Sequence, residues 1–397
     1  AEGGKWGFIA QDGKILTEPQ FESVSEIINK RSIVKVKGFY GVISVSGAYI
    51  LKPEFSSIKY LNGSDNKYFI TEQKKEKYGV INQEGKVIAD LNYDRIYPYK
   101  EGFARIMTGG KYGFINEKGE IIVTPKFDNA YDFSGGLAAV AVGKLWGYLN
   151  AKGETEILPL TPFAGNFKNG LAPVSKDGKI GYMNTDSKII VAPIYRAATD
   201  FNNGLAIVTL MNGVKNIIDT TGKELLPEPA EDIKFLNNPN FLKIRMENGH
   251  KLYSKNAAKI ITKKTVPDIY DYAEGLIMFK NDKYFNFMDT TGKAILTKKY
   301  TSAGNFSDGF ARVQLDNKWS YINKKGQVQL GPFNNGVTDF VNNRAFIEGP
   351  KKYWALIDKN GKNLTYDIFI SPKNFVNGFA LTGIPAREYY FTDTAGN

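Results

Sequence analysis

Lys5-Trp6-Gly7-Phe8-Ile9, a four-residue turn ending at Gly13, and then Ile15, Leu16, Pro19 and Phe21 make up a phrase that decides the fold. It occurs twelve times between Trp6 and Tyr389, at intervals of 34 to 38 residues. Positions equivalent to Trp6 are Tyr40, Tyr78, Tyr112, Trp146, Ile180, Lys215, Lys251, Phe285, Trp319, Trp354 and Tyr389. A period this constant specifies tandem units, each too small to bury an apolar face except against its neighbours. The one long interval carries extra residues around Gly63 to Asn66, which read as a loop insertion.

Four residues after the aromatic slot, nine units carry Asn or Asp, as at Asn82, Asn116, Asn150, Asp219, Asp289 and Asp358. Three residues later comes Gly, except at Ser187 and Ala258. Asn or Asp opening a type I turn, with Gly taking positive φ, is hairpin chemistry. Short β-branched runs follow, such as Ile121-Ile122-Val123 and Ile189-Ile190-Val191, and in six units they run into Pro19, Pro53, Pro125, Pro159, Pro193 or Pro332. Proline cannot donate to a ladder, so it ends the strand or lies at an edge. A second phrase, Phe133-Ser134-Gly135-Gly136-Leu137-Ala138-Ala139-Val140, recurs at Phe167, Phe201, Phe306 and Phe375, with variants at Tyr99 and Tyr272. Each unit therefore reads as three antiparallel strands plus an irregular crossing of roughly ten residues, and no stretch sustains a helical period. The fold class is all-β.

The Lys-Trp-Gly-Phe-Ile strand, the Asn-x-x-Gly turn, the Pro-x-Phe segment and the Phe-x-x-Gly-Leu-Ala-x-Val phrase, held in one register, resemble the bacterial WG-repeat family over essentially the whole chain. Literal Trp-Gly stands only at Trp6-Gly7 and Trp146-Gly147, with Tyr-Gly at Tyr40, Tyr78 and Tyr112. The middle departs most, with Lys215-Asn216 and Lys251-Leu252 in place of aromatic-Gly. The resemblance implies a repeat module of a bacterial protein, often exported, surface-attached or fused to other domains. It brings no catalytic residues with it.

At 397 residues a length prior suggests two or three domains, but the repeat overrides it and favours one array over 1–397. A seam within 209–267, between a regular block 1–208 and a second block 268–397, is the alternative. The expected array is twelve three-stranded β-meander units in an open superhelix. Its alternative is propeller-like closure into one ring or two. The chain begins at Ala1 without Met and stops at Gly396-Asn397 inside a turn, which reads as a processed or trimmed piece or as a capping half-unit.

Net charge is +11, from 52 basic and 41 acidic residues, interspersed as in Lys74-Lys75-Glu76-Lys77. This makes a solvated surface, with a weak attraction for anionic polymers as the sharper reading. No motif supports specific nucleic-acid recognition. With no cysteine, disulfides, thiolate zinc sites and cysteine nucleophiles are excluded. No apolar run is long enough to span a membrane as a helix.

Candidate chemistry is sparse. His250 is the single histidine and reads as a polar turn residue. Asp219-Thr220-Thr221-Gly222-Lys223 has the look of an aspartyl-phosphate motif, yet Asp289-Thr290-Thr291-Gly292-Lys293 repeats it in register, and a turn recurs where a catalytic aspartate is singular. Glu228, Glu231 and Asp232 form the one acidic cluster in which to seek two carboxyls for glycoside hydrolysis. The slot aromatics read as recurrent core filler, and Tyr97, Tyr99, Tyr389 and Tyr390 as candidates for exposed contacts. No catalytic, cofactor or metal residue is assigned. The expected function is a non-enzymatic scaffold holding a protein or an anionic cell-surface polymer such as a polysaccharide, in an extracellular, periplasmic or cell-surface setting. A carbohydrate-active hydrolase built on 215–267 and a passive spacer are the alternatives.

Overall fold

In the computed structural model, the described residues are 6–9, 15–44, 46–61, 68–73, 77–365, 372, 379–383 and 389–393. The turn at Gly13, the insertion at Gly63 to Asn66, the lysines at 74 and 75, the phrase at Phe375 and the chain's two ends lie outside them. Among the described residues every regular element is a β-strand.

The repeat at Trp146 shows how the pattern folds. Leu137–Val142 pairs antiparallel with Leu145–Asn150, which pairs with Thr155–Thr161. These are the three expected strands. A fourth, Asn129–Ala130, lies within the irregular crossing and adds to the edge of Leu137–Val142. Short strands at Ser23–Val24, Arg95–Ile96 and Ser302–Ala303 do the same, so the sheets have three or four strands, except three that have two among the described residues. Asn150 Oδ1 accepts the backbone N–H groups of Lys152 and Glu154, at 3.0 and 3.1 Å, and the Gly153 N–H closes the turn on the Asn150 carbonyl.

The Gly of the aromatic-Gly pair is explained by the outer strand. Trp146 faces Thr161, but Tyr148 faces Ile157, so the Leu158-Pro159-Leu160 segment bulges across Gly147. A Cβ on Gly147 would meet the Ile157 carbonyl oxygen, and Pro159 N at 2.7 Å. Pro159 sits in this bulge, where its missing N–H costs no ladder bond. The same crossing recurs at Gly41, Gly79, Gly113 and Gly181. Where Gly gives way to Asn, the outer strand changes. Asn216 and Asn286 bond the passing backbone of Leu226 and Leu296 with their side chains, and single bridges replace the ladder.

The slot aromatics are not the buried core that the sequence suggested. Tyr78, Tyr112, Trp146, Trp319 and Trp354 are half-buried and Trp6 is 40% exposed. They sit beside the hairpin turn, at the strand end, where solvent reaches one side of the ring. The fully buried ring lies two residues on, at Phe114, Tyr148, Tyr182, Phe287 and Tyr321. Each packs on the phrase aromatic of the next sheet, as in Tyr148–Phe167 and Tyr182–Phe201, both with centroids 4.8 Å apart, and Tyr321–Phe340 at 4.7 Å. Edge-on rings at this separation are favourable, and they join consecutive repeats. The buried phenols stay satisfied by donating to a carbonyl 17 residues on: Tyr148 to Gly165 and Tyr182 to Thr199, at 2.8 and 2.7 Å. Tyr99 occupies this phrase position. It is 1% exposed and donates to the Asn116 carbonyl, so it is core, not a contact residue.

Two compact units are formed: residues 1–208 with 219–222, and residues 209–218 with 223–397. Within each, sheets follow one another in chain order. Core clusters join neighbours, as Tyr148, Phe167 and Met183 do in the first unit and Met278, Phe287, Phe306 and Ile322 in the second.

Candidate functional site

Side chains at fixed registers tie each sheet to the next. On one edge, Glu101 accepts the Gly135 and Gly136 N–H groups at 2.8 and 2.9 Å. Glu274 holds Gly309, Asp308 holds Asn343 and Asn169 holds Gly204 in the same way. Between the sheets runs a second device, an arginine rung. Arg105 donates from Nε to Asp132 at 2.5 Å and from Nη1 to the Ala130 carbonyl at 2.6 Å, with its guanidinium 4.0 Å from the Tyr97 ring centroid. Arg312 repeats this in the second unit, donating to Asp339 at 2.7 Å and to the Val337 carbonyl, over the Trp319 ring. Tyr97 is therefore half-buried beneath an arginine, not displayed for contact.

In the middle of the second unit the rung is absent. The structure puts His250, not Lys251, in the aromatic slot, since His250 bridges Val266 as Phe285 bridges Tyr300, so the register of Arg105 and Arg312 is held there by Lys243 and then Met278. The register of Asp132 and Asp339, immediately before the phrase aromatic, is held by Asp271 and then Asn305. Lys243 turns instead to Asp268. No ion pair holds Asp271, and the buried Asn305 Oδ1 accepts no hydrogen bond among the described residues. A cleft of about 340 Å³ lies at this place, lined by Lys234, Phe235, Lys243, Tyr270, Asp271, Met278 and Asn305 among others. It is the candidate site. Sequence reading passed over it, because Arg holds this position only at 105 and 312, while Ile33, Ala139 and Pro173 hold it in other repeats.

The Asp268 carboxyl beside the cleft is pushed up by burial. The Lys243 hydrogen bond, the Ile269 N–H and the charges of Lys243 and His250 outweigh this and hold it below the usual aspartate range.

The residues singled out in the sequence are dispersed. His250 places Nδ1 3.0 Å from the Pro267 carbonyl and 3.9 Å from Asp268. Glu228 pairs with Lys251 at 3.1 Å, Glu231 with Arg245 at 3.3 Å, and Asp232 with Lys215. Each carboxylate of that cluster thus faces its own cation. Asp219 and Asp289 accept the N–H and hydroxyl of Thr221 and Thr291, the hydroxyls at 2.6 Å, and so close turns. Tyr389 and Tyr390 lie in the strand Tyr389–Asp393, their side chains outside the described residues. No helix is long and apolar enough to cross a membrane, and no cluster of three metal-ligating side chains occurs, both among the described residues.

A second surface feature lies in the first unit. The residue after the bulge proline is Glu54 or Lys126 in earlier repeats but Leu160 and Ile194 in two consecutive later ones. Leu158, Leu160 and Ile194 are 63%, 76% and 53% exposed, with Ile189 and Ile190 on the same strand as Ile194.

The sheets, bulged strands and inter-sheet rungs define a tandem β-sheet repeat protein. The model of the WG containing repeat matches residues 6–38, 78–112, 112–146, 146–179, 180–213 and 287–319, about half of the chain. The chain belongs to the WG containing repeat family. No curated protein matches it. Among solved structures it is similar to the computationally designed Ika8 protein, with 12% identity over 69% of this chain and 95% of that one and a TM-score of 0.34. It is similar also to a structure titled as the eukaryotic initiation factor, with 12% identity over 75% and 94% and a TM-score of 0.40. BamB from Moraxella catarrhalis is a third, with 11% identity over 67% and 91% and a TM-score of 0.27.

Proposed function

We propose that this chain is a non-enzymatic binding scaffold whose repeated outer strands hold a protein partner. The observation that carries this reading is the apolar row on successive bulges, Leu158 and Leu160 followed by Ile194. Large apolar side chains exposed in one register of neighbouring sheets, where two earlier repeats carry Glu54 and Lys126, mark an interaction surface. The absence of catalysis is part of the proposal. Its support is that Glu228, Glu231 and Asp232 are each engaged by a cation of their own, whereas a hydrolase needs two carboxyls facing one substrate.

The test is crosslinking in cells from photoreactive residues placed at 160 and 194, compared with positions 54 and 126. Crosslinks to a discrete protein from 160 and 194 alone support the proposal, and loss of the crosslink from 194 in Leu158→Glu/Leu160→Glu supports it further. An equal yield from all four positions, or crosslinks to polysaccharide only, overturns it. Glycan hydrolysis that Glu231→Gln abolishes overturns the non-enzymatic part.

A further inference from the structure

The cleft of the second unit spans two adjacent cells in which Lys243 and Met278 stand where the two filled cells have Arg105 and Arg312. In the filled cell of the first unit, the guanidinium of Arg105 has three kinds of neighbour. These are the carboxylate Asp132, the ring of Tyr97, and behind it Tyr112, whose centroid is 6.2 Å from that of Tyr97. The cell at Met278 keeps all three positions. Tyr270 stands in the register of Tyr97, Phe285 in that of Tyr112, and their centroids are 5.7 Å apart at nearly the same tilt, 36° against 38°. Asn305 stands in the register of Asp132, with Oδ1 buried and unbonded. The cell at Lys243 has Lys234, not an aromatic ring, opposite it on the neighbouring strand, with Phe235 one residue on in the lining and the unpaired Asp271 in the register of Asp132. Two acceptors and an aromatic wall remain, and only the donor is missing.

We propose that this cleft binds a guanidinium group, laid over Tyr270 and donating to Asn305 Oδ1 and the Asp271 carboxylate. A planar guanidinium fits both parts of this wall, because it stacks on aromatic faces and offers several fixed donors at once. An ammonium lacks that planar, forked donor set. The chain's overall positive charge does not oppose the binding locally. Lys234 and Lys243 are matched by Asp232 and Asp268, while Lys280 lies 5.4 Å from the Phe285 centroid and leaves Asp271 unpaired among the described residues. The source of the guanidinium is an arginine side chain of a protein partner or a free small molecule. The first source rests on the binding-scaffold reading above, while occupancy of the cleft by a guanidinium does not.

The test uses the full chain and four probes: methylguanidine, N-acetyl-arginine amide within a glycine-flanked peptide, the citrulline counterpart of that peptide, and cellobiose. Affinity is read by calorimetry, and location by the methyl resonance of Met278. Saturable binding of the guanidinium probes that shifts this methyl is expected, with the citrulline peptide weaker by roughly tenfold. Tighter binding of the peptide than of methylguanidine assigns a protein source, and equal binding a free one. Met278→Arg/Asn305→Asp refills the cell from within. It should abolish binding while keeping thermal stability at or above that of the parent, which separates a filled site from a misfolded one. Asn305→Ala and Asp271→Asn should each weaken binding several-fold. Undiminished binding in the refilled variant, equal affinity for the citrulline peptide, preference for cellobiose, or no shift at Met278 would each overturn the assignment. Failure of the crosslinking experiment alone leaves the cleft standing and removes only its protein source.

Discussion

At Gly147 a single missing methyl group lets the outer strand cross the ladder. The Ile157 carbonyl and Pro159 N occupy the volume that a Cβ would need, and both are backbone atoms that no rotamer change can move. Gly147→Ala should therefore destabilise the chain by about 2–3 kcal/mol, read as a fall in the denaturant midpoint. An unchanged midpoint would mean that the bulge moves freely. Tyr148→Phe should cost about 1–2 kcal/mol, because it leaves the buried Gly165 carbonyl without its donor. Asp268 adds a pH effect. Its carboxyl is held below the ordinary aspartate value, so its contribution is complete above that value, near 3.8, and is lost as pH falls through the still lower folded value. Lys243→Met should raise the Asp268 midpoint in a carboxyl NMR titration, and a midpoint that stays put would show that Lys243 is not the dominant stabiliser.

At the scale of the element, what joins one sheet to the next is a set of side chains repeated every 34 or 35 residues. Glu101 is the plainest case, since its carboxylate serves two backbone donors of the following repeat. Glu101→Ala should speed hydrogen exchange at Gly135 and Gly136 by roughly tenfold, if each charged hydrogen bond contributes 1.5–3 kcal/mol and exposure discounts it by half. Unaltered protection at both amides would show that the turn holds itself. Much at this scale was legible. The Asn-x-x-Gly turns and the Pro-x-aromatic segments stood in the expected places because turn chemistry is local. The fourth strand at Asn129–Ala130 was not legible. Two residues carry no period, and only the neighbouring edge of Leu137–Val142 makes them a strand. The burial of Tyr99 was missed for a related reason. It stands in register with Phe133, but whether a ring points into a neighbour depends on that neighbour.

For the whole molecule, the excess of basic over acidic residues sets a weak, long-range attraction for anions, and under the proposals above the apolar row and the cleft are where contact is specific. Adsorption to an anionic polymer should disappear as added salt shortens the screening length from roughly 10 Å at 0.1 M to 3 Å at 1 M. Binding at Leu158, Leu160 and Ile194 should persist, because apolar burial is not screened. Light scattering and crosslinking across a salt series check both parts. Polymer binding that survives high salt would demand a dedicated anion site.

The chain's own order of residues settled the period, the all-β class, the hairpin turns and the family, because each depends on contacts within some ten residues or on simple recurrence. Tertiary structure alone decided why Gly follows the aromatic, since the atom that excludes a Cβ belongs to a strand about ten residues away. It also decided that the acidic cluster is dispersed among cations and that Asn305 lacks a donor. Those facts concern the space between sheets, and that space is defined only once neighbouring repeats have packed.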